Sequence, residues 1–340
     1  MKNHTAMPSK YCPHGRQRGF SLIEMMIALT IGILLLIGLS SLFLQQSASR
    51  SELEKSSRQI ENGRYAMQIL QDNIEHAGFY GEYTPPSGAT VVPTDPCDAT
   101  VTGWATPSTV PVPIFGYPGG GADPTIGVSS PAGCLPNYKA NTAVLVVRRT
   151  ATPFITGAPL ANTLYMQTSR CGNDVSRFVV GTAGFILRQG DCATPARLRQ
   201  YLVNIYYISQ CSTPTAGGAC AATDDNGKWI PTLMLVQNGA APTPLVEGIE
   251  NMQFDYGVDT TSDGSPDIYP NPPALTTANW PNVMTVRVSL LARNIETTPN
   301  YADAKSYSLG SVTIAADGNN HKRHVYTELV RAINPIGWRS

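Results

Sequence analysis

No CxxC pair occurs in these 340 residues, and no HExxH or GxSxG; the single run of three glycines, Gly119-Gly120-Gly121, is not followed by Lys-Ser or Lys-Thr. Structural zinc, thioredoxin-type exchange, zinc proteolysis, esterase chemistry and phosphate loops therefore lack their usual signatures. Charge is scarce too, at 14% of residues, with Lys+Arg 24 matching Asp+Glu 24. That balance gives no support for a nucleic-acid partner, which calls for a basic face. Histidine is rare. His4 and His14 lie near the start, His76 falls within a helical pattern, and His321 and His324 flank Lys322-Arg323 in a polar stretch. An HxxH with no Glu or Cys beside it is a weak metal signal. Asp224-Asp225 sits in a Gly/Asn-rich turn, where solvation accounts for it. These absences point to a protein that is not an enzyme.

What charge there is lies unevenly. Residues 1–19 carry Lys2, Lys10, Arg16 and Arg18 with no acid. Behind them Met25 to Ser49 holds no charged side chain, and Met25–Leu44 is a run of 20 mostly apolar residues. At about 1.5 Å per residue such a helix crosses a hydrocarbon core of about 30 Å. Its backbone groups bond one another, so lipid accepts it. Arg16 and Arg18 keep the N-terminus cytoplasmic and place the remainder across the membrane. Of the seven cysteines, Cys12 lies in the basic head. The other six, Cys97, Cys134, Cys171, Cys192, Cys211 and Cys220, form an even set suited to an oxidising compartment. Their connectivity is open; pairing in sequence order closes the shortest loops.

Glu24 is the unusual residue. A carboxylate at the edge of a membrane span is costly and takes a partner or snorkels to the headgroups. It follows Gly19-Phe20-Ser21-Leu22-Ile23, so a cut after Gly19 makes Phe20 a free amine in the same layer, with a reference pKa of about 7.7–8. Gly19 to Glu24 resembles the class III leader junction of type IV pilins and type II secretion pseudopilins. The resemblance implies cleavage between Gly19 and Phe20 by a prepilin peptidase and N-methylation of Phe20. It also implies that Glu24 faces the amino terminus of a neighbouring subunit during assembly.

Apolar residues continue past the span at Leu53, Ile60, Met67 and Ile74, with Leu70 and Ala77 between them. This heptad pattern predicts a helix from Phe20 to about His76, its seam weak near Arg50 and strong after Arg64. Gly78, Gly81 and Pro85-Pro86 end it. Glu61-Asn62-Gly63-Arg64-Tyr65-Ala66, followed by Ala77-Gly78-Phe79, resembles the PilW-like minor pilins.

Residues 84–142 hold 11 Pro and 8 Gly with four charges, Asp95, Asp98, Asp123 and Lys139. Such Pro density opposes helix and central strand, which predicts a long surface loop around Cys97 and Cys134. From Ala143 strand patterns dominate: Ala143–Val147, Arg199–Ser209, Leu233–Gln237, Ile249–Tyr256, Val283–Leu290 and Val325–Ile333. In the fifth, Val286, Val288 and Leu290 face one way and Thr285, Arg287 and Ser289 the other. The expected fold is α+β, a long N-terminal membrane-spanning helix packed against a mainly antiparallel sheet domain with long Pro/Gly-rich loops. Its parts are a cleaved leader at 1–19, a membrane and assembly half-helix at 20–44, an amphipathic half at 45–83, the Pro/Gly-rich region at 84–142 and a β-rich domain at 143–340.

One ligand site is suggested. Asp259, Thr261, Asp263, Gly264, Ser265 and Asp267 match the offsets of a calcium loop, but Pro270 stands where the closing Glu belongs. An Asp/Gly/Ser hairpin turn suits the same composition. No other cofactor is indicated. The resemblance implies a minor pilin that primes or caps a type IV pilus from the inner membrane. The expected partners are other minor pilins, the major pilin, prepilin peptidase and the inner-membrane assembly platform. The alternatives are a GspJ-like minor pseudopilin of type II secretion, which shares the junction, and a membrane-anchored periplasmic enzyme that uses the helix only as a tether.

Overall fold

The computed structural model describes residues 19–86, 88–93, 95–97, 109–126, 133–214 and 218–337. The leader residues 1–18, with Arg16, Arg18 and Cys12, and Asp98 lie outside the described residues. The chain divides into two compact units, Met1–Glu54 and Lys55–Ser340.

Among the described residues of the first unit the regular backbone is one helix. α1 runs Leu22–Glu75, 54 residues, and its first part belongs here. It contains no proline, and its first turn is closed by its own side chain. Ser21 precedes the helix and Glu24 stands three residues on. The Glu24 carboxylate accepts a hydrogen bond from the Ser21 N–H at 3.0 Å. This is half of a capping box, satisfying one of the amides that a helix start leaves open.

The second unit begins with the rest of α1. Among the described residues fourteen strands follow: β1 (Thr90–Val91), β2 (Val110–Pro111), β3 (Ile114–Tyr117), β4 (Val144–Thr150), β5 (Tyr165–Thr168), β6 (Phe178–Gly181), β7 (Leu198–Ser209), β8 (Thr232–Gln237), β9 (Thr243–Glu247), β10 (Ile249–Val258), β11 (Val283–Arg293), β12 (Tyr307–Leu309), β13 (Val312–Ile314) and β14 (Arg323–Arg331). A short helix α2, Ile333–Gly337, comes last. Seven strands form one sheet in the order β3-β4-β7-β5-β6, with β8 pairing β7 and β9 beyond it. Three more form a second sheet, β10-β11-β14. All pairings in both are antiparallel. The fold is α+β.

α1 turns one face to both sheets. Ala66, Leu70, Ile74 and Ala77 are fully buried in a core that also takes Val147 and Tyr206 from the large sheet and Met252, Phe254, Val286 and Val288 from the small one. The opposite face of the large sheet carries a second core of Tyr80, Val144, Val146, Tyr201, Val203 and Tyr207. Burial on both faces explains why Val144–Val147 reads as an unbroken apolar run rather than an alternation.

Two expectations need correction. Leu53 and Ile60 are exposed, at 68% and 43%, so the seam starts later than the heptad suggests. Gln59 and Gly63 take the inward positions instead, Gln59 donating to the carbonyls of Ala292 and Lys322 at 2.8 and 3.0 Å. Residues 84–142 are not all surface loop. Val110, Val112 and Ile114 are buried, and β3 pairs with β4 as an edge strand, the one place in a sheet where flanking prolines cost no ladder bonds. On β11, Val286, Val288 and Leu290 face the core as the alternation predicts, and Thr285 and Ser289 on the other side are buried as well.

The buried face sets a testable contrast. Leu70→Ala should cost about 2–5 kcal/mol through a cavity between helix and sheets. Ile60→Ala should change stability by no more than about 0.5 kcal/mol. Denaturant unfolding of the two variants checks both.

Candidate assembly site

The N-terminal segment exposes what a water-soluble protein hides. Phe20 is 88% exposed, and Leu22, Ile23, Met25, Leu34, Leu36, Phe43 and Leu44 are all exposed on the bare helix. One helix among the described residues is long and apolar enough to cross a membrane, with mean hydropathy 2.6 over its best window. An unburied apolar surface of this length demands lipid or other helices as its solvent. One of its polar side chains is satisfied within the helix, for Thr30 donates its hydroxyl to the Ile27 carbonyl at 2.9 Å. Gly19 and Phe20 lie just before α1, exposed and outside regular structure, as a peptide bond must be to enter a protease. Glu24 lies within the first turn at the same end. The capping contact with Ser21 holds one carboxylate oxygen at the helix start, the end where a negative charge is favoured.

Farther along α1, the Glu61–Ala66 segment divides by face. Asn62 donates to the Glu247 carbonyl at 3.1 Å, Gly63 lies under the Tyr326 ring of β14, and Ala66 is fully buried. A Cβ at Gly63 would overlap that ring, so only glycine lets helix and strand come this close. Glu61, Arg64 and Tyr65 point outward. The exit of the helix is fixed as well. Gly78 adopts φ +72°, its N–H donates to the Arg148 carbonyl at 2.9 Å, and the Thr150 N–H donates to the Phe79 carbonyl at 2.7 Å. These residues dock the helix onto the body.

The six cysteines form three local bridges, Cys97–Cys134, Cys171–Cys192 and Cys211–Cys220. Asp224 and Asp225 brace the last of these loops rather than facing solvent. Asp224 is buried and accepts from the Ala221 N–H, and Asp225 accepts from the Ser212 and Ile230 amides at 2.9 and 2.8 Å.

The aspartates of the 259–267 loop are turned onto its own amides. Asp259 accepts from Ser262 and Gly264, Asp263 from Ser265, and Asp267 from Thr260 and Thr261. These bonds hold the Asp267 carboxyl below its usual range, chiefly through Thr260. Among the described residues no group of three or more His, Cys, Asp or Glu side chains is placed to hold a metal ion. A calcium ion would have to draw Asp259, Asp263 and Asp267 away from these amides, with Thr261 and Ser265 supplying further oxygens. His321 meets the Asn294 carbonyl and His324 lies edge-on to Tyr326 within β14, so the HxxH pair faces separate neighbours.

A cluster with no sequence signature lies at the start of β14. The Arg323 guanidinium is buried and meets Asp303, Glu250 at 3.2 Å and Asp317 at 3.3 Å. Its members come from β10, β14 and two loops, so no local spacing announces it. Burial alone would raise the Asp303 carboxyl; the hydrogen bonds from Arg323, the Lys305 amide and Tyr307, with the charge of Arg323, together outweigh it and hold the group below its ordinary value.

Two family models match the chain. One, described as Type IV Pilus-assembly protein W, matches residues 205–334; the other, the Prokaryotic N-terminal methylation motif, matches residues 14–40. Over these two stretches the chain is similar to PilW and to the methylation motif, and the two matches together support a PilW-like type IV pilin. No curated protein and no solved structure matches it. The PilW match runs from within β7 into α2 and takes in Tyr326, the body side of the Gly63 contact. The leader motif and the single apolar helix indicate single-pass membrane anchoring. A PilW-like chain is a structural component of a pilus and works with other pilus components.

Two outcomes are expected. Gly63→Val should cost about 1–3 kcal/mol by overpacking, and Tyr326→Ser should relieve much of that cost in the double variant, a coupling that a double-mutant cycle measures. Because the folded Asp303 carboxyl is depressed, its stabilisation is full above the unfolded value of 3.8 and fades as pH falls through the lower folded value. Asp303→Asn should therefore be less stable at neutral pH and lose less stability on acidification, as read from unfolding midpoints across pH.

Proposed function

We propose that this chain is a minor pilin that primes or caps a type IV pilus, inserted in the inner membrane with its body in the periplasm and then carried at the filament tip. Prepilin peptidase cuts between Gly19 and Phe20, and Phe20 is N-methylated. The observation that carries this reading is Glu24, the sole acid at the head of an uncharged apolar run that is exposed along its whole length. The physical drive is burial of that run against the helices of other minor pilins and the major pilin, on the assembly platform. Glu24 is then neutralised by a neighbour's terminal amine, a charge-assisted pairing strongest where water is excluded. A body of this size behind one helix suits a terminal position, where no further subunit has to stack over it.

The capping contact supplies a sharp test. Glu24→Gln keeps an oxygen to accept the Ser21 N–H but removes the charge, whereas Glu24→Ala removes both. If the charge is what matters, both variants accumulate in the membrane and neither enters pili, measured by fractionation and by counting surface filaments. Piliation by Glu24→Gln at the wild-type level would overturn the pairing. Sequencing of the mature N-terminus should read Phe20 first. A deletion strain should lose surface pili rather than secreted proteins; the opposite loss would indicate a type II secretion pseudopilin.

A further inference from the structure

The Arg323 cluster leaves one carboxylate oxygen unused. Glu250 is 8% exposed; its Oε1 takes Arg323, but its Oε2 is buried with no hydrogen-bond partner. The register explains where it points. Ile249 pairs with Ala292 and Asn251 with Leu291, so Glu250 is the extra residue of a β-bulge. Bulges re-aim side chains. Here Met252, Phe254 and Tyr256 enter the core, while Glu250 joins Asn251 and Gln253 on the lining of a cavity of about 510 Å³, walled on another side by the β12–β13 hairpin.

Lys139 lines the same cavity. Its backbone is fixed, the N–H donating to the Ile208 carbonyl at 2.8 Å and the carbonyl accepting from the Thr142 hydroxyl at 2.6 Å. Among the described residues its ammonium has no ion-pair partner, and burial lowers its pKa against the pull of Glu250. The neighbouring amides are already committed. Asn251 and Gln253 both donate to the Asn141 carbonyl, at 3.2 and 2.9 Å. The charged groups of the lining are one fixed acceptor and one donor of opposite sign, beside the uncharged Asn141, Asn271 and Thr313, with Pro118, Pro272, Val312 and Ile314 as apolar walls.

Opposite charges in one cavity cancel, so an ionic ligand gains from one and loses to the other. A group that donates to the carboxylate and accepts from the ammonium satisfies both, and the hydroxyl does both. The volume lies in the range of small-ligand sites, about 300–1,000 Å³. We propose that this cavity binds a neutral polyhydroxylated ligand, one sugar unit, with one hydroxyl donating to Glu250 Oε2, another accepting from Lys139 Nζ, and the C–H face against the prolines and the hairpin. This site does not depend on the assembly reading and stands or falls separately from it.

The test uses the full chain in a detergent without a sugar headgroup. Glucose, galactose, N-acetylglucosamine and N-acetylgalactosamine are titrated in turn, with saturation-transfer NMR and calorimetry as readouts. At least one should bind saturably at millimolar concentration or below. Lys139→Met and Glu250→Gln should each weaken it about tenfold or more, the scale of a lost charge-assisted hydrogen bond. Lys139→Met leaves the Arg323 cluster intact and should unfold at the wild-type temperature. No saturable binding of any of the four sugars, or wild-type affinity in Lys139→Met, would overturn the site.

Discussion

The body is organised by one narrow strip of helix. From Gln59 to Ile74 the inward residues of α1 form a wall shared by two sheets that, among the described residues, do not pair with each other through any ladder. Small residues at Gly63 and Ala66 bring the helix close; Leu70 and Ile74, fully buried, fill the space farther down. Each large apolar side chain hidden this way contributes about 1.5–3 kcal/mol. Remove the strip and both sheets lose the surface that completes their cores.

The same helix meets two solvents, and its sequence is divided accordingly. Up to Leu44 the apolar residues surround the axis, as suits lipid or a bundle of like helices. Beyond Lys55 the apolar residues narrow to one face, with charged and amide side chains on the rest. Glu24 marks the start of the first regime and Gly63 fixes the second. The pilin character and the body fold are thus read from two ends of one element.

Much of this was legible beforehand because it depends on local pattern. The uncharged run, the acid at its head, the helix stop at Gly78 and the main strands β4, β7, β8, β10, β11 and β14 each leave a signal within a few residues. The misses have physical reasons. β5, β6, β12 and β13 are only three or four residues long, too short for a period to show. Val110, Val112 and Ile114 sit among prolines that suggest loop, yet an edge strand tolerates them. Ile60 continued the heptad by spacing, but the helix follows its own 3.6-residue turn and presents Gln59 instead. The capping role of Glu24 was readable from Ser21 and was overshadowed by its place in the membrane pattern. The Arg323 cluster and the bulge at Glu250 are tertiary features, assembled from strands and loops far apart in the chain.

The three bridges share a property that bears on how the body holds together. Each ties a loop to itself, over separations of 37, 21 and 9 residues, and none joins α1 to a sheet or one sheet to the other. The small sheet contains no cysteine at all. Oxidation therefore secures individual loops, while the join between helix and sheets relies on apolar packing and on hydrogen bonds such as those of Gln59 and Asn62. A thiol–disulfide imbalance would loosen these loops one by one, and the helix–sheet join has no covalent bond to lose.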